Sequence, residues 1–197
     1  VRAHQTGVPL MRAMLLQFPG DPACDTLDRQ YMLGDSLLVA PVFSADGSVD
    51  YYLPAGRWTH FLSGEVVTGG CWVRERHGYL SLPLLARENS VIPVGKDDQV
   101  PDYEYADGVT FHAFALAEGA DVQVAVPDLT GQTDCTARFQ RLGGQIIATL
   151  EGRFRPWTVL LRGVGSVKGA VGGRLQTSGM GIRVTADEGS ARIVIDV

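Results

Sequence analysis

Turn-forming residues interrupt this chain too often for helices of ordinary length. Its 197 residues include 24 glycines and 10 prolines. They recur at roughly the 8–12-residue spacing that separates short strands in sandwiches and barrels. Between them lie β-type runs at 37–42, 51–53, 58–62, 71–73, 79–82 and 90–94, then at 110–115, 120–126, 135–140, 145–150, 157–162, 181–185 and 191–197. Several alternate. In Asp121-Val122-Gln123-Val124-Ala125-Val126 the valines fall on one face, and Ile193, Ile195 and Val197 do the same near the end. Period-two patterning of this kind specifies a half-buried antiparallel strand. Helical character is confined to residues 1–6, which read as the last turn of a helix capped by Gly7, with Pro9 just beyond. The expected fold class is all-β.

Size and a polar, proline-punctuated stretch at 96–102 divide the chain into two units of sandwich size, with the boundary near Gly95. The expected organisation is a short helical stub over 1–20, one antiparallel β-sandwich over 21–95 and a second over 96–197. Val1-Arg2-Ala3-His4 reads as the interior of a longer polypeptide, and the strand ending at Val197 leaves little expected beyond it.

Composition narrows the partners. Hydrophobic residues make up 45% of the chain, too many for a disordered segment. The net charge is −5, with 17 basic and 22 acidic side chains scattered rather than clustered, so neither nucleic acid nor an anionic membrane surface is an expected partner. No apolar stretch approaches the roughly 20 residues that span a bilayer. Cys24, Cys71 and Cys135 are odd in number, widely spaced and free of any Cys-x-x-Cys pair. They point to a reducing, cytoplasmic compartment and away from a disulfide framework or structural zinc.

One segment carries a more specific message. Met32-Leu33-Gly34-Asp35-Ser36-Leu37-Leu38-Val39-Ala40-Pro41-Val42 is followed by Leu53-Pro54-Ala55-Gly56-Arg57-Trp58-Thr59 and preceded by Arg12-Ala13-Met14-Leu15-Leu16-Gln17-Phe18-Pro19. With Gly7-Val8-Pro9-Leu10, Phe18-Pro19-Gly20-Asp21, His77-Gly78-Tyr79-Leu80-Ser81-Leu82-Pro83 and Arg87-Glu88-Asn89-Ser90, these motifs resemble glycoside hydrolase family 31, most closely its bacterial α-xylosidases. The resemblance is dense over about 7–94. It is looser beyond, at Tyr103, Phe111-His112, Val126-Pro127 and Trp157-Thr158. It implies that residues 1–20 are the remnant of a catalytic (β/α)8 barrel and that a proximal and a distal β-sandwich follow. Family members are retaining α-glycosidases with two barrel aspartates, nucleophile and acid/base, about 5 Å apart. Both would precede this chain, so no catalytic residue carries over.

The side chains that invite a functional role have structural alternatives. Asp21, Asp25, Asp28 and Asp35 cluster but fit no calcium-loop spacing; a structural role is expected, with Asp28 and Asp35 satisfying backbone amides at turns or pairing with Arg12 and Arg29. His4, His60, His77 and His112 follow no metal-ligand spacing. Trp58, Trp72, Trp157, Tyr51, Tyr52, Tyr79, Tyr103 and Tyr105 are the aromatics on which a sugar ring could stack, with Trp58 and Trp157 expected instead as core anchors. No catalytic, substrate-binding or metal residue and no cofactor is therefore assigned.

The expected function is the non-catalytic C-terminal portion of an α-xylosidase-like enzyme, inactive alone, bracing the barrel of the same polypeptide, with homo-oligomer contacts as a second expected role. The alternative is a stand-alone carbohydrate-binding module using exposed aromatics, and a purely structural or oligomerisation domain is a third reading.

Overall fold

The computed structural model describes residues 1–153 and 155–197. The chain divides between Glu88 and Asn89 into two units.

In the first unit, helix α1 (Arg2–Thr6) ends at Gly7 in the left-handed conformation, its N–H closing on the Ala3 carbonyl. Strand β1 (Met11–Arg12), helix α2 (Met14–Gln17) and a 3-10 turn (Pro22–Cys24) follow. Then come β2 (Tyr31–Leu33), β3 (Leu37–Val39), β4 (Ser48–Leu53), β5 (Arg57–His60), β6 (Val66–Thr68), β7 (Cys71–Arg76) and β8 (Leu84–Arg87). Six strands form one sheet in the order β1-β2-β3-β8-β5-β6, and β4 pairs with β7 as a separate two-stranded ribbon. Every pairing in this unit is antiparallel. The ribbon alternates cleanly: Val49, Tyr51 and Leu53 are buried and join Met32, Leu38, Trp58 and Leu85 in one core. The intervening residues of β4 point the other way, as the period of two requires.

The second unit contains β9 (Ser90–Val94), β10 (Val109–Phe114), β11 (Asp121–Pro127), β12 (Thr133–Leu142), β13 (Gln145–Gly152), β14 (Trp157–Arg162), β15 (Gly169–Val171), β16 (Gly173–Ser178), β17 (Gly181–Ala186) and β18 (Arg192–Asp196). Two five-stranded sheets result, β16-β17-β14-β10-β9 and β11-β12-β13-β18-β15. Their inner faces share a core built on Phe111, Phe139, Trp157, Val159, Ile146, Val184, Ile193 and Ile195. Phe111 lies between Phe139 and Trp157 at centroid distances of 5.8 and 6.2 Å. Gly143-Gly144 joins β12 to β13 with φ of 60° and 78°, the two positive angles that a two-residue hairpin turn needs to follow strand twist.

Both units are all-β, matching the expected class, with two differences in detail. The pairing of β10 with β14 is parallel, Val109 opposite Trp157 through Phe114 opposite Arg162. The chain passes through β11, β12 and β13 of the opposite sheet between them. All six residues of β14 are buried, as a strand covered on both faces requires. The other difference lies at 89–94. Strand β9 hydrogen-bonds to β10 and belongs to the second unit, ahead of the polar stretch at 96–102. As an edge strand, β9 accommodates Pro93 without losing a ladder bond inside the sheet. Among the described residues no helix is long and apolar enough to cross a membrane.

Candidate functional site

The aspartates of the first unit serve separate local tasks. Asp21 caps the 3-10 turn, its Oδ1 accepting from the Ala23 N–H at 3.1 Å while Oδ2 accepts from the Tyr52 hydroxyl at 3.0 Å. Asp35, in the turn between β2 and β3, accepts from the guanidinium groups of Arg12 and Arg2. Partial burial opposes its charge, but Arg12 and then Arg2 outweigh that and hold the carboxyl below its ordinary pKa. A general acid needs the opposite shift. Asp25 and Asp28 are exposed. Arg12 is itself buried, donating from Nε to the Pro9 carbonyl at 2.8 Å and from Nη1 to Gln17 at 3.1 Å, so it ties residues 9–17 to the sheet.

Two histidines converge on one carboxylate. Glu75 Oε1 lies 3.2 Å from His60 Nε2, and Oε2 lies 2.8 Å from His77 Nε2; His77 Nδ1 in turn contacts the Ser81 hydroxyl at 3.1 Å. This chain of contacts pins the 77–81 turn, from which Tyr79 and Leu80 project into solvent. The run at 79–82, expected as a strand, is irregular; the apolar strand in this region is β8, which begins at Leu84, two residues beyond that run. Among the described residues no three His, Cys, Asp or Glu side chains are grouped to hold a metal ion.

The aromatics separate by strand face. Trp58 and Trp157 are buried core anchors, as expected, with indole N–H groups donating to the Pro54 carbonyl at 2.8 Å and the Ser190 carbonyl at 2.9 Å. Neither can meet a sugar. Tyr51 is buried too, and burial followed by the Glu75 charge pushes its phenol pKa upward. Tyr105 packs on the core of the second unit, edge-on to Tyr103 at 5.2 Å.

Trp72 differs: it is 62% exposed, on the outer face of the β4/β7 ribbon. The register pairs Tyr52 with Trp72, Asp50 with Arg74 and Ser48 with Arg76 across that face. The Trp72 ring leans on Tyr52 at 5.8 Å and 56°. Arg74 Nε sits 3.3 Å from Asp50. Arg76 Nε donates to the Asp46 carbonyl at 2.8 Å. A groove of about 350 Å³ opens beside this face, lined by Arg29, Phe43, Ser44, Asp46, Asp50 and Arg74. Asp46 is locked by hydrogen bonds from Ser44, then from the Ser48 N–H and hydroxyl, which hold its carboxyl at a pKa of about 2. Arg29, Phe43, Asp50 and Arg74 are site candidates that sequence reading misses. For Asp50 and Arg74 the signal is the alternation of 48, 50, 52 and 72, 74, 76, which becomes a site only once the register is known.

Comparison with known proteins gives a consistent result. Residues 7–92 match the glycosyl hydrolase family 31 C-terminal domain, and residues 104–197 match the domain described as alpha-xylosidase YicI, C-terminal domain. The alpha-xylosidase XylQ of Lactiplantibacillus pentosus is 36% identical over 74% of this chain and 19% of its own length. An alpha-xylosidase of Emericella nidulans is 34% identical over 77% of this chain and 21% of its own. The chain thus spans about a fifth of these relatives. A Flavobacterium johnsoniae family 31 dextranase superposes on 100% of the chain, covering 30% of its own, with a TM-score of 0.83 at 22% identity, which establishes the fold. The family 31 alpha-xylosidase of Xanthomonas citri covers 81% of this chain and 19% of its own with a TM-score of 0.62 and 26% identity. Motif order, two consecutive domain matches and fold agree: this chain belongs to glycoside hydrolase family 31 and comprises the family's C-terminal β-sandwich domains.

Proposed function

We propose that this chain is the non-catalytic C-terminal part of an α-xylosidase-like retaining α-glycosidase and that it braces a (β/α)8 barrel of the same polypeptide. One observation carries the reading. Val8, Leu10, Met11, Leu15 and Leu16 all face solvent within nine residues, Leu10, Met11 and Leu16 each about 60% exposed. These side chains sit on a fixed frame, because Arg12 and Met14 between them are buried. A rigid apolar strip of this kind is the usual mark of a contact surface. The names of the relatives support α-linked xylose or glucose as the sugar released by the parent enzyme. The two carboxylates of the retaining mechanism would lie on the barrel. The three free cysteines fit a reducing, cytoplasmic setting.

Hydrolysis of p-nitrophenyl α-xyloside and α-glucoside by this chain, beside a longer polypeptide that includes the barrel, tests the assignment. Turnover confined to the longer form is expected. Turnover by the 197-residue chain alone would overturn the non-catalytic role.

A further inference from the structure

We infer that the outer face of the β4/β7 ribbon, together with the groove it walls, binds short α-linked gluco- or xylo-oligosaccharides. The ribbon presents an aromatic platform, Trp72 braced on Tyr52, whose hydroxyl is in turn held by Asp21. Two residue pairs along the ribbon, on the same face and about 7 Å away by strand geometry, stand Asp50 and Arg74. These also wall the groove, with exposed Phe43 and Arg29 on its lining.

Such an arrangement matches what a pyranose offers. Its C–H face packs on an aromatic ring, and its paired hydroxyls accept hydrogen bonds from a guanidinium and donate them to a carboxylate. The groove volume falls in the range of small-molecule sites, roughly 300–1,000 Å³. The wall is also pre-set: Asp46 is fixed by Ser44 and Ser48, and Arg76 holds the same loop through the Asp46 carbonyl.

Charge and polarity argue against other occupants. Asp46 and Asp50 stand among Arg29, Arg74 and Arg76, a mixed set that favours a neutral polyhydroxylated ligand over an anion. The centre of a protein–protein contact is depleted in charge. Here the residues flanking Trp72 on its own face are charged or hydroxylated. The choice of α-linked sugars rests on the α-glycosidase reading above, whereas the surface itself does not.

The test is titration of the full 197-residue chain with isomaltotriose, xyloglucan heptasaccharide and cellotriose, followed by tryptophan fluorescence and amide NMR shifts. Because Trp58 and Trp157 are buried, a ligand-dependent fluorescence change reports Trp72. Saturable binding of an α-linked probe in about the millimolar range is expected, with shifts confined to 29, 43–52 and 72–76. Trp72→Ala and Arg74→Gln should each weaken it about tenfold with unchanged circular dichroism. Arg74→Gln alters only a solvated side chain, and shift mapping needs no variant, so a misfolded Trp72→Ala would not rescue the idea. Absence of saturation, shifts elsewhere, equal binding of cellotriose, or a concentration-dependent self-association abolished by Trp72→Ala would each overturn it. None of these outcomes bears on the α-glycosidase reading, which is tested by hydrolysis in the longer polypeptide.

Discussion

His112 illustrates how a buried polar side chain in this fold becomes a liability in acid. It lies on β10 with Nδ1 3.3 Å from Arg162 Nη1, and Arg183 is the next basic neighbour. Burial first, then the charges of Arg162 and Arg183, push its pKa down from the ordinary 6.5 to about 4. The folded protein therefore keeps the ring neutral where the unfolded chain protonates it. Below the unfolded pKa the unfolded state binds the extra proton, so stability falls as pH drops from 6.5 to about 4 and then levels off for this group. Integrated over that window the loss is about 3 kcal/mol, an order-of-magnitude figure. Urea unfolding at stepped pH should show the decline in the parent chain, and His112→Gln should flatten it. An identical slope in both would assign the acid sensitivity to other groups.

Elements in this chain are held by register, and glycine sets register where backbone approaches backbone. Gly181 opens β17 opposite Arg162 of β14 with φ of 132°, and an added Cβ would stand 2.0 Å from the Leu161 carbonyl oxygen. Gly181→Ala should therefore pry β17 from β14 and destabilise the second unit by about 2–4 kcal/mol, read as a lower urea midpoint. Gly20→Ala, with nothing within 4 Å of the new methyl, should leave the midpoint nearly unchanged. Sequence patterning is informative at this scale where strands alternate. β11 and β18 follow the alternation of Val122, Val124, Ile193 and Ile195. It is weaker where strands are short or glycine-flanked, as at β1, β6 and β15, because two or three residues contain no period. The parallel pairing of β10 and β14 is invisible to it, since which strands meet depends on the path of the whole chain. The candidate sugar surface shares that limit. Trp72 and Tyr52 stand out as aromatics, but Asp50 and Arg74 gain meaning only from being opposite each other.

At the scale of the whole molecule, the unresolved tension is between a well-filled core and a strip that nothing within the first unit covers. The core takes Met14, Met32, Leu38 and Trp58 out of water entirely. Yet Leu10, Met11, Leu15 and Leu16, from the same short segment, stay exposed. At roughly 25 cal/mol per Å² of apolar surface, covering several such side chains yields a few kcal/mol, enough to drive association once a complementary surface is present. The segment lies inside the matched family domain, so the strip is a property of that domain rather than of a tail appended to it. Alone, the 197-residue chain is expected to bind a hydrophobic dye or to self-associate with rising concentration. Leu10→Lys combined with Leu16→Lys should abolish both while leaving the thermal midpoint within about 2 °C, because neither side chain contributes to the core. The same pair placed in the longer polypeptide should lower the stability of the barrel without touching its active-site chemistry. Light scattering that finds a dye-silent monomer at every concentration would remove the strip as a docking surface, and with it the physical basis for the bracing role.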